Sequence, residues 1–208
     1  DFLELLRELA DGQNLLLIFD EVQTFRVAPG GIQEWYGIHP DLTVLGKIIG
    51  GGFPIGGFGG RADIMAAFDA TTGAPKIPHA GTFNGNPMAM RAGIATLREL
   101  TPPVYQRLRE DGEALRQDLQ ALADRYRVPA RITGEASLFH IHLTDQPVVD
   151  ARSAQTVNPS LTRKMFFHFL NQGIYLGSRG GGNLSVPMGE EELTHFRRVW
   201  ERFLHKVR

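Results

Sequence analysis
The sequence predicts an open α/β sheet over residues 1–101 and a smaller α+β domain over residues 102–208. Three observations predict it. Residues 15–19, Leu-Leu-Leu-Ile-Phe, form a short unbroken apolar run, which suits a strand covered on both faces in a parallel sheet better than a half-exposed antiparallel one. Patterns of helical period stand before and after strand-like runs, and helices alternating with buried strands argue for an open α/β sheet. Thr101-Pro102-Pro103 then interrupts the pattern, and beyond it a long helix is followed by short strands and two further helices.

The elements follow in order. Phe2, Leu5, Leu6 and Leu9 recur at helical spacing on one face, and Asp11-Gly12 ends that helix. The run 15–19 is the first strand, 42–45 the second, and 55–58 a third with glycine inside it. Helix reads over 62–69. Asn86-Pro87 is a strong helix start, with Asn as the cap and Pro at the first helical position, and this helix continues to Leu100. After the proline break, Leu108, Leu115, Leu119 and Leu122 share one helix face. Strands are predicted over 130–133 and 138–143, a helix over 159–171, and short strands over 174–176 and 184–186. In the last helix Glu190, Glu191 and Glu192 complement the positive end of the helix dipole.

Composition removes several classes of function. Apolar residues make up 42% of the 208 residues and charged residues 22%, ordinary values for a soluble globular protein. A formal net charge of -1, with no long basic run, gives no electrostatic basis for nucleic acid or an anionic membrane as partner. The absence of cysteine excludes disulfides, iron–sulfur clusters and thiol catalysis, and fits a reducing, cytoplasmic compartment. No apolar stretch approaches the roughly 20 residues of a membrane span. The opening DFLELLRELA is an amphipathic helix interrupted by acids and arginine, unlike a secretory signal. It starts without methionine, so we expect the chain to be part of a longer one.

The residues that could do chemistry lie at the ends of the apolar runs. Ligands of open α/β sheets sit beyond the carboxyl ends of the strands, where Asp20 stands, and where Lys47 follows the second run. A buried carboxylate is costly unless a cation or donor partners it, and the protonated ring nitrogen of an organic cofactor is such a partner. A lysine in a desolvated place has a free amine able to attack a carbonyl and form a Schiff base. An acid on one strand end, an amine on the next and a phosphate site nearby are what pyridoxal phosphate needs. The same spacing is met by an Asp20 that caps a loop and a Lys47 that is merely solvated.

The segment GKIIGGGFPIGGFGG, residues 46–60, holds eight glycines in fifteen positions, which allows either close approach to a ligand or only a tight strand-turn. It does not meet the GxxxxGK[ST] phosphate-loop pattern, because Ile48 follows Lys47. In HAGTFNGNP, residues 79–87, Thr82 offers a hydroxyl and an N–H ahead of a helix start that favours anions. Alternatively, Asn84 and Asn86 serve there only as caps. His140 and His142 alternate along a strand and share a face, a spacing met at metal sites. No third ligand is evident, so a solvent-facing pair and no metal are expected. Arg179 in LGSRGGGN can bind a substrate carboxylate bidentately or serve as a loop arginine. Arg107, Arg109 and Arg125 read as a solvated helix face.

With these residues in hand, the sequence resembles the class III (omega-type) aminotransferase family of fold-type I pyridoxal-phosphate enzymes. It looks most like the branch that contains glutamate-1-semialdehyde aminomutase and beta-amino-acid aminotransferases. LLLIFDEVQTFRVAPGG, HPDLTVLGKIIGGGFPIGGFGGRADIM and HAGTFNGNPMAMRAGIATL carry the resemblance and cover nearly all of residues 13–100. GIYLGSRGGGNLSVPMGEEEL, residues 173–193, is a softer match to the end of the family's small domain.

The resemblance implies that residues 1–101 are the later part of the cofactor-binding large domain and 102–208 the small C-terminal domain. It implies that Asp20 pairs with the pyridine nitrogen of pyridoxal phosphate and that Val22 packs on one face of the ring. Lys47 would hold the cofactor covalently and then shuttle a proton. Thr82 would bind the cofactor phosphate, in this family typically across the interface of a homodimer. The implied partners are a small-molecule amino donor and a carbonyl acceptor. The family's chains are longer, and their first half would carry the phosphate-cup loop, the stacking aromatic and much of the substrate pocket. Gln23 stands where methionine is frequent in the aminomutase-like branch, and FNGNP differs from the aminomutase-type LSGNP. Both differences lean toward amino-group transfer between separate donor and acceptor. The runner-up is intramolecular transfer of the glutamate-1-semialdehyde aminomutase type, and the rival from another class is a non-catalytic truncated fragment.

Overall fold
The computed structural model describes residues 2–71 and 73–208. The chain divides into two compact units, residues 1–105 and 106–208.

The first unit holds a three-stranded sheet in the order β1-β2-β3. β1 (Ile18–Asp20) pairs in parallel with β2 (Leu42–Gly46), which pairs antiparallel with β3 (Gly56–Gly60). The helices are α1 (Phe2–Gly12), α2 (Gly31–Tyr36), α3 (Ala62–Met65) and α4 (Pro87–Glu99). The third strand lies slightly later than its apolar residues suggest, because its backbone pairing with β2 runs on through Gly59 and Gly60.

The first apolar run differs from expectation more sharply. Only its last two residues belong to β1, and Leu15, Leu16 and Ile18 are each more than half exposed, while Phe19 is buried. β1 is an edge strand here, and nothing among the described residues covers that face. What holds this segment is Asp41. Its buried carboxylate accepts from Arg61 Nη1 at 2.8 Å, Leu17 N at 2.8 Å and Arg7 Nη1 at 3.0 Å. The Arg61 bond, then the Leu17 amide and Arg7, keep that carboxyl well below the usual carboxylate range. One side chain thereby ties α1, the approach to β1 and the residue after β3 to the start of β2.

α4 begins as its sequence predicts. Asn86 Oδ1 accepts from Met88 N at 2.9 Å and Ala89 N at 3.3 Å, and Pro87 opens the helix. The helix lies on the 3-10 turn Lys47–Gly50. A Cβ at Gly93 would stand 2.0 Å from Ile49 O, and one at Gly51, where φ is +57°, would stand 2.4 Å from Ala92 O. Part of the glycine run is therefore explained by packing.

The second unit has an antiparallel sheet in the order β4-β5-β6, built from Arg131–Thr133, Leu138–His142 and Gly181–Asn183. Its helices are α5 (Pro102–Tyr126), α6 (Pro159–Leu170) and α7 (Glu190–Val207). Leu115 and Leu119 of α5, Met165 and Phe169 of α6, Ile141 of β5, and Val199, Trp200 and Leu204 of α7 are fully buried. Trp200 Nε1 satisfies itself on Leu119 O at 2.9 Å, so the largest core side chain leaves no orphan donor. The first turn of α5 contains the division between the units, at Tyr105.

Two expectations fail in this unit. No strand forms over 174–176 or 184–186; the third strand is the glycine run Gly181–Asn183. A Cβ at Gly182 would stand 2.4 Å from Phe139 Cζ, so the strand passes under that ring and carries no side-chain pattern to read. Arg107 is not simply solvated. It donates to Val186 O at 2.7 Å and Met188 O at 3.0 Å, pinning the segment before α7. No helix among the described residues is long and apolar enough to cross a membrane.

Candidate active site
Asp20 and Lys47 are positioned by the same pair of strands. β1 and β2 run in parallel with Asp20 beside Val44, so both chains leave the sheet at the same end. Asp20 is the last residue of β1, and Lys47 is the first after β2. Asp20 is exposed, and its Oδ1 accepts the Val22 N–H at 3.0 Å, which fixes the plane of the carboxylate. Val22 is half-buried, and a Cβ built on Gly46 would meet both of its methyls at 3.4 Å. Val22 therefore packs against the residue that precedes Lys47.

Lys47 has φ +48°. Such a backbone costs a non-glycine residue about 1–3 kcal/mol and persists where the surroundings impose it. Here an extended Gly46 and the α4 packing on residues 48–51 impose it. The side chain is exposed, and its ammonium has no ion-pair partner among the described residues. A carboxylate, an apolar side chain and an unpaired amine stand together at one sheet end. That donor set fits an organic cofactor with a basic ring nitrogen and a carbonyl carbon.

Glu21, the second acid of the pair, has a different task that sequence reading left unassigned. It is fully buried. Its Oε2 accepts from Ile32 N at 2.7 Å and Thr24 Oγ1 at 2.9 Å, and its Oε1 from Gln33 N at 3.0 Å and Gln33 Nε2 at 3.2 Å. A Cβ on Gly31, at φ +80°, would fall 2.5 Å from that carboxylate. Glu21 thus clamps the loop after β1 to the start of α2 and so holds Asp20 and Val22 in place. The only sequence signal was the Gly30-Gly31 pair ten residues downstream.

Thr82 lies on the exposed loop before α4, in a turn where Asn84 N donates to Gly81 O at 3.0 Å. The anion-favouring helix start is already taken, because Asn86 accepts two of its amides and Pro87 has none. Thr82 itself offers its hydroxyl and amide to a ligand. Among the described residues no hydrogen bond or ion pair joins Thr82 to Asp20, Val22 or Lys47.

In the second unit, Arg179 is exposed at the corner of the turn Gly177–Gly180, closed by Gly180 N to Gly177 O at 2.8 Å. The two histidines are not a solvent-facing pair. Their rings stack at 4.1 Å and 8°, His142 is only 6% exposed, and its Nε2 lies 2.9 Å from Thr133 Oγ1. No cluster of three potential metal ligands exists among the described residues. Burial, and secondarily the neighbouring His140, push His142 down to about 4. The neutral ring is therefore the native form, and the unfolded chain takes up the proton first. The stabilisation is complete above about pH 6.5 and is lost as pH falls toward about 4. We expect that component to be worth about 1–2 kcal/mol after solvent screening, and to vanish in His142→Gln protein. Urea unfolding of both proteins between these pH values measures it; identical pH slopes would assign the loss to other groups.

Residues 1–187 match the Aminotransferase class-III family. The chain belongs to the class III aminotransferase family. It is 45% identical over 197 residues to a beta-phenylalanine transaminase of Variovorax paradoxus, covering 94% of this chain and 45% of the relative. It is 49% identical over 176 residues to a glutamate-1-semialdehyde 2,1-aminomutase of Nitratidesulfovibrio vulgaris, covering 84% of this chain and 41% of the relative. Among solved structures, the beta-phenylalanine aminotransferase from Variovorax paradoxus superposes with a TM-score of 0.91 at 43% identity, over 99% of this chain and 47% of that one. An omega-transaminase from Sphaerobacter thermophilus gives 0.89 at 40%, over 98% and 47%. The chain thus spans less than half the length of these class III aminotransferase relatives, and its mixed helix and sheet is an α/β portion of their fold.

Proposed function
We propose that this chain is the later part of a pyridoxal-phosphate-dependent aminotransferase that moves an amino group from a small-molecule donor to a keto acid or aldehyde. The observation that carries the reading is the placement of Asp20 and Lys47 at one end of two adjacent parallel strands, with Val22 laid against Gly46. Pyridoxal phosphate, when bound, supplies an electron sink. Asp20 would hold a proton on the ring nitrogen, and Val22 would support one ring face. Lys47 Nζ would anchor the cofactor and would carry a proton at the substrate carbon. Thr82 binds the phosphate, serving the neighbouring subunit of a homodimer whose cofactor sites lie at the interface. Arg179 takes a substrate carboxylate. In this reading residues 1–101 belong to the cofactor-binding domain and 102–208 to the small domain, and the enzyme is cytoplasmic.

Borohydride reduction of the loaded longer parent, followed by peptide mapping, is expected to place the pyridoxyl adduct on Lys47. An adduct on Lys76 or Lys164 would overturn the assignment. A second reading, intramolecular amino transfer of the aminomutase type, is supported by the 49% identity to the Nitratidesulfovibrio aminomutase. It uses the same residues and differs in keeping its intermediate bound. Gln23 and the FNGNP segment favour the transferase. Transfer between separate donor and acceptor supports the first reading, and isomerisation of glutamate 1-semialdehyde without added donor supports the second. A third reading is a non-catalytic fragment, which would be supported if no adjoining reading frame encodes the portion that its relatives carry beyond this span.

A further inference from the structure
The turn that carries Arg179 has few side chains with which to hold itself. Gly177, Gly180, Gly181 and Gly182 surround Ser178 and Arg179. Its backbone is bonded at three points: Gly180 N to Gly177 O at 2.8 Å, Gly177 N to Gly181 O at 2.8 Å, and Ile141 N to Gly180 O at 3.0 Å. The carbonyl of Arg179 itself is left over by that pattern. It is met by His140 Nε2 at 2.8 Å. A carbonyl oxygen can only accept, so this nitrogen carries the hydrogen.

The donor is itself held firmly. His140 sits on β5 opposite Gly181 of β6, and a Cβ on Gly181 would come within 3.4 Å of His140 Nδ1, so the ring lies close over the glycine backbone. Its ring stacks on that of His142. His142 is buried and tied to Thr133 Oγ1 on β4. The arrangement runs from one strand of the sheet to the next and ends on the main chain of the one charged residue in the turn.

We propose that His140 is a positioning residue: through its N–H to the Arg179 carbonyl, and braced by His142, it sets where the Arg179 guanidinium is presented to a substrate carboxylate. The proposal rests on the reading of Arg179 as the carboxylate-binding group. A guanidinium must meet both carboxylate oxygens at once to bind them as a fork, so a small wander of the turn weakens the pair. Losing one hydrogen bond of this kind corresponds to about a three- to tenfold change in binding.

The test uses the longer parent loaded with its cofactor and two amine probes of one skeleton, 3-amino-3-phenylpropanoate and 1-phenylethylamine, which lacks the carboxylate. In His140→Phe the ring and its stack on His142 are kept and the donor is removed. We expect KM for the carboxylated probe to rise about three- to tenfold with kcat little changed, and kcat/KM for the amine to stay within about twofold. His140→Gln, which can return a donor to the carbonyl, is expected to recover most of the loss. Amide exchange of the peptide spanning residues 177–181 should speed up in His140→Phe and return toward wild type in His140→Gln, a readout independent of turnover. Arg179→Ala separates the two levels of the argument. If it does not raise KM for the carboxylated probe, the reading of Arg179 fails and the proposal with it. If it does, but His140→Phe leaves both KM and exchange unchanged, the positioning role alone is overturned.

Discussion
Replacing Asp20 with alanine in the longer parent is expected to slow amino-group transfer by about two to three decades. The reasoning starts at the strand end. Asp20 is exposed at the tip of β1, and its carboxylate is oriented by the Val22 amide without being neutralised by any arginine or lysine among the described residues. It is therefore free to hold a cation presented to it. On the proposed reading, removing the carboxylate would take away the partner of the cofactor's ring nitrogen, and the ring would lose much of its capacity to accept electrons. Such preorganised charge is commonly worth a few kcal/mol in the transition state. Asp20→Asn should behave similarly, since an amide retains the shape and the capacity to accept from Val22 but not the charge. Steady-state rates for wild type and both variants, at saturating cofactor, measure the effect. Undiminished turnover in Asp20→Ala would mean that the cofactor ring is not where this strand end puts it.

The strand ends at Asp20 and before Lys47 were legible because their signals are local. An apolar run that stops on a carboxylate, or on glycine and lysine, announces a strand end whatever the rest of the chain does. Asn86-Pro87 and the Glu190–Glu192 cluster announce helix starts for the same reason, and both helices begin there. The features that escaped depend on partners distant in sequence. β6 is a strand because β5 bonds to it, and its glycines offer no alternation to read. His142 is buried by strands and helices that the local pattern His-Ile-His does not specify. The clamping task of Glu21 depends on residues 31–33, which close over it from ten residues downstream. Leu15, Leu16 and Ile18 read as core, and their pattern is correct for a sheet covered on that side. That cover is not found among the described residues.

The 208-residue chain expressed alone is expected to self-associate and to show no amino-group transfer with added pyridoxal phosphate. Three apolar surfaces of the first unit lead to this. On α1, Phe2, Leu5 and Leu9 share one exposed face. Leu15, Leu16 and Ile18 stand exposed beside the free edge of β1. On α4, Met90, Ile94 and Leu97 form another exposed face. Full burial of each such side chain gains about 1.5–3 kcal/mol, so pairing these surfaces between copies is strongly favoured. The edge of β1 adds unpaired backbone groups that template the same association. The second unit does not share the defect to that degree, because its three helices and sheet bury Trp200, Phe169 and Phe203 among themselves. Cofactor affinity should fall as well. On the proposed reading, Asp20, Val22 and Lys47 would supply the partner of the ring nitrogen, one apolar contact and the amine, and Thr82 would be the phosphate-binding residue of this chain. Light scattering on residues 1–208, with an amino-transfer assay across a panel of donors, decides the matter. Large, polydisperse species without activity are the expected result. A monodisperse and active preparation would overturn it, and would require that a second copy of this chain completes the site.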